Sequence, residues 1–262
     1  MLVDSHCHLD YLAQDGDLDD VVDRARRAGI GRMLTICTKI SEFNLVTDIA
    51  ATYDDVWCSV GIHPHNVATE EPVTAEALID LARGSRVAGI GETGLDYFYD
   101  NSPREDQRRS FRAHIAAARE TELPLIVHTR DADEDTAGIL EDEYAKGAFR
   151  GVIHCFSTGR QLAERAVKIG FYISLSGILT FKKADELRDT VRALPIERLL
   201  VETDAPYLTP TPNRGKRNEP AYVVHTAARL AALKDLAPEA LAKTTTDNFF
   251  ALFKTIEHPS SS

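Results

Sequence analysis

Apolar residues along this chain follow two alternating rhythms. Met1-Leu2-Val3 reads as a short buried strand, and Leu18, Val21, Val22, Ala25 and Ala28 then recur at helical spacing until Gly29 stops them. The same change of period repeats down the sequence. Compact apolar runs predict strands over residues 32–37, 56–62, 87–91, 125–128, 151–155, 171–175 and 198–202. Helical spacing between them predicts helices over about 43–51, 75–82, 104–121, 132–144, 160–168 and 185–193, and two more, 222–233 and 238–253, close the chain.

Eight short strands alternating with helices imply a parallel sheet buried on both faces. In 262 residues this is the arithmetic of an α/β fold with a single (β/α)8 TIM-type barrel and an extra C-terminal helix. No Ser/Gly/Pro-rich linker divides the chain, so the barrel is assigned to residues 1–256 and a frayed tail to 257–262. An open doubly wound sheet would want a glycine-rich phosphate turn after the first strand. The chain has His6-Cys7-His8 there instead.

Composition alters this picture little, since 44% hydrophobic and 27% charged residues describe an ordinary globular core and surface. No apolar run approaches a membrane span, and the first residues already belong to a strand, which leaves no place for a signal peptide. Cys7, Cys37, Cys58 and Cys155 show no Cys-x-x-Cys spacing and lie in or beside apolar runs. They read as free thiols in a reducing compartment, which points to the cytoplasm. The net charge of −11 argues against indiscriminate adhesion to nucleic acid, yet it permits a cleft made locally positive by divalent ions. No exposed apolar stripe suggests an obligate protein partner.

Candidate chemistry sits at the strand ends, where barrels of this type place their active sites. His6 and His8 alternate with Cys7 and so point the same way. His63 and His65 follow the third strand, Glu92 the fourth and Asp204 the eighth; His128 ends the fifth and His154 lies in the sixth. Each alone has a plain structural explanation: Glu92 as a turn residue between Gly91 and Gly94, Asp204 as a helix cap, the histidines as satisfied core groups. Their joint placement on one rim, amid apolar neighbours that make unpaired polar groups costly, favours metal ligation. Four imidazoles and two carboxylates exceed one tetrahedral site, so two ions are assigned. His6, His8, Glu92 and Asp204 hold one, and a bridging Glu92 with His128 and His154 holds the other. Asp204 is placed as the base that takes a proton from the attacking water. The N/O donor set suits Mg, Mn, Zn or Co. His114 and His225, on predicted helices, are read as structural and His258 as part of the solvated tail.

The stretches Asp4-Ser5-His6-Cys7-His8-Leu9-Asp10, Gly61-Ile62-His63-Pro64-His65 and Gly91-Glu92-Thr93-Gly94-Leu95-Asp96-Tyr97 resemble the TatD family of metal-dependent deoxyribonucleases, within the amidohydrolase superfamily. The likeness continues through Pro124-Leu125-Ile126-Val127-His128-Thr129-Arg130, His154-Cys155-Phe156 and Val201-Glu202-Thr203-Asp204-Ala205-Pro206-Tyr207-Leu208. It extends to residues 213–220 and 246–249. Glu92 stands where other superfamily members often carry a carboxylated lysine. The resemblance implies a divalent-metal phosphodiesterase acting on DNA ends, a 3′–5′ exonuclease on single strands, with ligands His6, His8, Glu92, His128, His154 and Asp204. The same chemistry would also hydrolyse an ester, amide, lactone or aminoacyl-tRNA bond, and a non-catalytic metal-binding protein is a third reading.

Substrate contacts are assigned to His63, His65, Arg130, Arg214 and Arg217. The two histidines either steady a phosphate oxygen or merely cap the rigid turn at Pro64. Arg214, Lys216 and Arg217 form a compact basic loop that either grips phosphate or balances local charge. Tyr97, Phe98 and Tyr99 either stack an unpaired base or pack as a lid.

Overall fold

A computed structural model describes residues 1–258; Pro259 to Ser262, the end of the predicted tail, lie outside the described residues. The chain runs β1 (Leu2–Cys7), α1 (Leu9–Ala13), α2 (Leu18–Arg27), β2 (Ile30–Thr35), α3 (Phe43–Thr52), β3 (Val56–Val60), α4 (Ala75–Leu81) and β4 (Val87–Asp96). It continues through α5 (Arg104–Thr121), β5 (Leu125–Arg130), α6 (Asp133–Lys146), β6 (Gly151–Ile153), α7 (Arg160–Lys168), β7 (Tyr172–Leu175), α8 (Asp185–Ala193) and β8 (Leu199–Val201). Two helices, α9 (Val223–Leu233) and α10 (Pro238–Leu252), end it.

The eight strands pair in parallel in sequence order, from β1 to β8, which is the TIM-type barrel expected from the alternating periods. Closure between β8 and β1 is carried by hydrogen bonds at and beyond the strand ends. The Asp204 N–H donates to the His6 carbonyl (2.9 Å) and the His8 N–H to the Ala205 carbonyl (2.8 Å). Inside the seam, Asp4 accepts the Thr203 backbone N–H (2.9 Å) and hydroxyl (2.5 Å), and the Ser5 hydroxyl donates to the Val201 carbonyl (3.0 Å). Three candidate ligands, His6, His8 and Asp204, are thereby pinned by the joint that closes the barrel.

Two apolar layers fill the molecule. The larger lies between sheet and helices, and Cys7 belongs to it; a register shift in β1 between Asp4 and Cys7 separates it from Val3, which shares its parity but lies in the other layer. The smaller takes one side chain from every strand: Val3, Leu34, Trp57, Ala88, Ile126, Val152, Tyr172 and Leu200. Phe249, Leu252, Phe253 and Ile256, from α10 and the residues after it, complete that cluster. The extra C-terminal helix therefore stoppers the floor of the barrel.

Several boundaries differ from expectation: β1 runs on to Cys7 instead of stopping at Val3, β3 ends at Val60 rather than residue 62, and β5 continues to Arg130. Helix α1 was not anticipated, because a single turn of Leu-Asp-Tyr-Leu-Ala is too short to show a period. Strand β4 runs five residues past Gly91, with a register shift between Ile90 and Thr93 where it pairs with β5. Strand β6 stops at Ile153, so His154 stands just beyond it. In the tail, the His258 ring lies 4.4 Å from that of Phe250.

Candidate metal centre

Glu92 is the hub. Its carboxylate is almost fully buried, and four imidazoles approach it: His154 Nε2 at 2.7 Å, His6 Nε2 and His128 Nδ1 at 3.3 Å, and His63 Nε2 at 3.4 Å. His8 stands at 4.0 Å from Glu92 and 3.4 Å from Asp204, which is itself 3.7 Å from His6. The six expected ligands are thus gathered in one place. The bulge in β4 explains how, since an extra residue in one strand re-aims a side chain toward the mouth.

Three of these rings are anchored by their other nitrogen. Glu202 Oε1 lies 3.3 Å from His154 Nδ1 and also accepts the Cys155 N–H (2.7 Å). Asp96 Oδ2 lies 3.1 Å from His128 Nε2 and 2.8 Å from His65 Nε2. The His65 backbone N–H donates to His63 Nδ1 (3.1 Å). Each anchor leaves the remaining nitrogen facing Glu92, the arrangement by which outer carboxylates and backbone groups orient metal-binding histidines.

The sequence alone assigns no role to Asp96 or Glu202. Asp96 is four residues from Glu92 on one strand, hence on the same face, a signal hidden because Gly91 and Gly94 read as the end of that strand. Glu202 stands two residues before Asp204, and only the fold shows that it turns toward His154.

Burial pushes the Glu92 carboxyl up, but His154, His63 and His6 outweigh it and hold it well below the usual carboxylate range. The imidazoles split. Burial lowers His6 and, more strongly, His63, whereas Glu92 and Glu202 overcome burial at His154 and raise it well above the usual value. At His128, Asp96 and Glu92 likewise overcome burial and raise it. Burial raises Asp204, but its contact with His8 prevails and lowers it.

The donors fit a metal. His6 Nδ1 and His8 Nδ1 are buried without a hydrogen-bond partner, and His6 Nε2 and His154 Nε2 lie against Glu92 without a well-aligned hydrogen bond, an arrangement that is costly unless something else binds them. Among the described residues, the ion-pair partners of Glu92, Asp96, Glu202 and Asp204 are all histidines, with no lysine or arginine to balance four carboxylates. Donor atoms of His6, His8 and Glu92 lie within 4.8 Å of one another, and so do those of His63, Glu92 and His128 and those of His6, His154 and Glu202. Glu92 belongs to two of these groups, as a bridging ligand must. His63, assigned above to substrate or to capping the turn at Pro64, accepts the His65 N–H as a cap and also stands among these donors.

The substrate residues divide. His65 sits beside the centre, bound to Asp96. Arg130 is exposed, its guanidinium carbon 3.9 Å from the Phe98 ring and 4.7 Å from the Tyr99 ring. Arg214 donates to the Thr209 carbonyl (2.9 Å) and covers Phe181, and Arg217 is paired with Asp15 and Asp17. The basic loop is therefore largely engaged within the protein.

Comparison with known proteins adds a family. The model described as TatD related DNase matches residues 3–254. An uncharacterised metal-dependent hydrolase of Escherichia coli (strain K12), YcfH, is 46% identical over 255 residues, covering 96% of this chain and 95% of its own. The 3′-5′ ssDNA/RNA exonuclease TatD of Salmonella typhimurium is 37% identical over 245 residues, 92% of this chain and 94% of its own. The crystal structure of YjjV, a TatD homologue from Escherichia coli K12, superposes with a TM-score of 0.90 at 30% identity, covering 97% of this chain and 98% of the other.

Proposed function

The chain belongs to the TatD family of metal-dependent hydrolases, and from that premise we propose that it removes nucleotides from the 3′ end of single-stranded DNA. The observation that carries the reading is the convergence of unpartnered imidazole nitrogens and Glu92 on one point at the barrel mouth. His6, His8, Glu92 and Asp204 are assigned to one divalent ion, and Glu92, His128 and His154 to its neighbour, with Mg, Mn, Zn or Co as the candidates. When bound, such ions supply Lewis acidity and bring the pKa of water to roughly 7.

The residues divide the remaining work. The Asp204 side chain is 13% exposed, against 3% for Glu92 and 0% for Asp96 and Glu202, so it is the carboxylate a water can reach. It accepts the proton as the water oxygen bonds to phosphorus. The bond from phosphorus to the 3′ oxygen of the shortened strand breaks, that oxygen takes up a proton, and a 5′-mononucleotide leaves. Glu202 and Asp96 hold His154 and His128 in register throughout, and His65 and Arg130 are assigned to phosphate oxygens. The 37%-identical exonuclease supports this choice of bond. The free cysteines, and the lack of any helix long and apolar enough to cross a membrane among the described residues, fit a cytoplasmic enzyme.

The test uses single-stranded DNA labelled at either end and digested with Mg²⁺ or Mn²⁺. Wild type shortens the strand stepwise from its 3′ end, and Asp204→Asn slows release by about 10²–10⁴-fold. No nucleotide release at saturating metal, in a buffer where a known nuclease works, defeats the proposal.

A further inference from the structure

Among the described residues five large hydrophobic side chains are exposed, and three of them stand at the barrel mouth: Phe98 (54%), Tyr99 (52%) and Tyr207 (54%). Phe98 and Tyr99 follow β4 and Tyr207 follows β8, so half the circuit of strands separates them. A line of ring contacts crosses the mouth between the two positions. It passes from Tyr99 to His65 (5.1 Å), His128 (6.1 Å), His154 (5.7 Å), His6 (3.8 Å) and His8 (5.2 Å), and reaches Tyr207 (6.3 Å). The candidate metal centre is thus the bed of a trough with an aromatic wall on each side.

Both walls are supported. Arg130 stacks against Phe98 and Tyr99 and adds a cation at that edge. On the other side, the Tyr11 ring lies 6.3 Å from Tyr207, and Asn218 Nδ2 donates to the Tyr207 carbonyl (2.5 Å). Tyr97 takes no part: its hydroxyl donates to Asp135 (2.6 Å) and accepts from Arg108 (2.9 Å).

Resting on the nuclease reading above, we propose that the two walls stack the bases on either side of the scissile phosphate, so that the unit recognised is a splayed dinucleotide step of an unpaired strand. A reacting phosphate over the centre places one planar group toward each wall. Exposed rings hold bases without regard to sequence, because every base has a π-face. The stacked bases of a duplex end are not free to spread toward opposite walls. The geometry therefore selects for two neighbouring bases and against pairing.

Binding and cleavage are measured separately on the metal-loaded protein. Affinity is read by anisotropy with phosphorothioate-linked deoxytetranucleotides, which resist hydrolysis, comparing a base-bearing strand with one lacking its last two bases. Wild type favours the base-bearing strand by about tenfold or more. Tyr207→Ala and the double change Phe98→Ala/Tyr99→Ala each remove most of that preference, and Tyr207→Ala leaves the abasic affinity unchanged. All three side chains are exposed, so melting temperatures stay at the wild-type value. Equal wild-type affinity for both strands, or equal losses on both in the variants, overturns the walls. Cutting of the ordinary phosphodiester strand without base preference overturns them too and leaves the nuclease standing. Base-dependent binding without any cutting supports the walls and overturns the nuclease.

Discussion

His154 presents Nε2 to Glu92 while its other nitrogen faces Glu202, 3.3 Å away, and the same carboxylate oxygen ties down the Cys155 N–H. Replacing Glu202 with Gln keeps the size and removes the charge. The expected result is a fall in metal affinity of about 10–100-fold with the fold intact, read by calorimetric titration; an unchanged affinity would show that His154 needs no such anchor. His114 is a histidine of the opposite kind. It is fully buried on α5, its Nε2 accepts the Ile62 N–H (3.0 Å), its Nδ1 lies 2.8 Å from the Ser110 carbonyl, and burial lowers its pKa to about 4. Above pH 6.5 it is neutral whether the chain is folded or not. As pH falls from 6.5 to 4 the unfolded chain takes up a proton that the folded chain refuses, so stability drops through that window, by on the order of 3 kcal/mol. Denaturant melts across this range, with His114→Gln for comparison, check it: the variant's pH slope should be shallower by about one proton.

At the scale of elements, β4 holds the site together. Gly94 sits at φ +133°, and a Cβ there would come within 2.0 Å of the His128 carbonyl oxygen on β5. Gly94→Ala must push the two strands apart just where Glu92, Asp96 and His128 meet. It should destabilise the protein by about 3 kcal/mol or more and weaken metal binding with it. A melting temperature equal to wild type would mean that the strands separate freely. The two glycines of β4 also mark where sequence reading reached its limit. The alternation of strand and helix was legible because each buried strand is a compact apolar run with a helical stretch after it. Gly91 and Gly94 look like the end of such a run, since only the approach of β5 reveals that they permit a strand to continue. Asp96 was lost with the truncated strand. The ligand types could be seen at strand ends from residue chemistry alone. Which nitrogen His154 and His128 present depends on Glu202 and Asp96, contributed by other strands, and no local pattern encodes those; the His63 anchor is the nearby His65 N–H, but that its ring then meets Glu92 and His128 is set by the fold.

Over the whole molecule, four buried or half-buried carboxylates gather at one point where their ion-pair partners are all imidazoles, within a chain that already carries a net charge of −11. Bound cations should therefore stabilise the fold as well as serve the chemistry. With metal at 100 times its dissociation constant the gain is about 2.7 kcal/mol. Calorimetric melts should show a lower transition temperature after chelation and recovery on readdition, and a transition indifferent to metal concentration would remove the case for occupancy in solution. The stopper formed by Phe249, Leu252 and Phe253 settles a different matter, that of traffic. A barrel sealed below is a cul-de-sac: no strand can be drawn through it like thread through an eyelet, and every product must back out by the way its substrate came in.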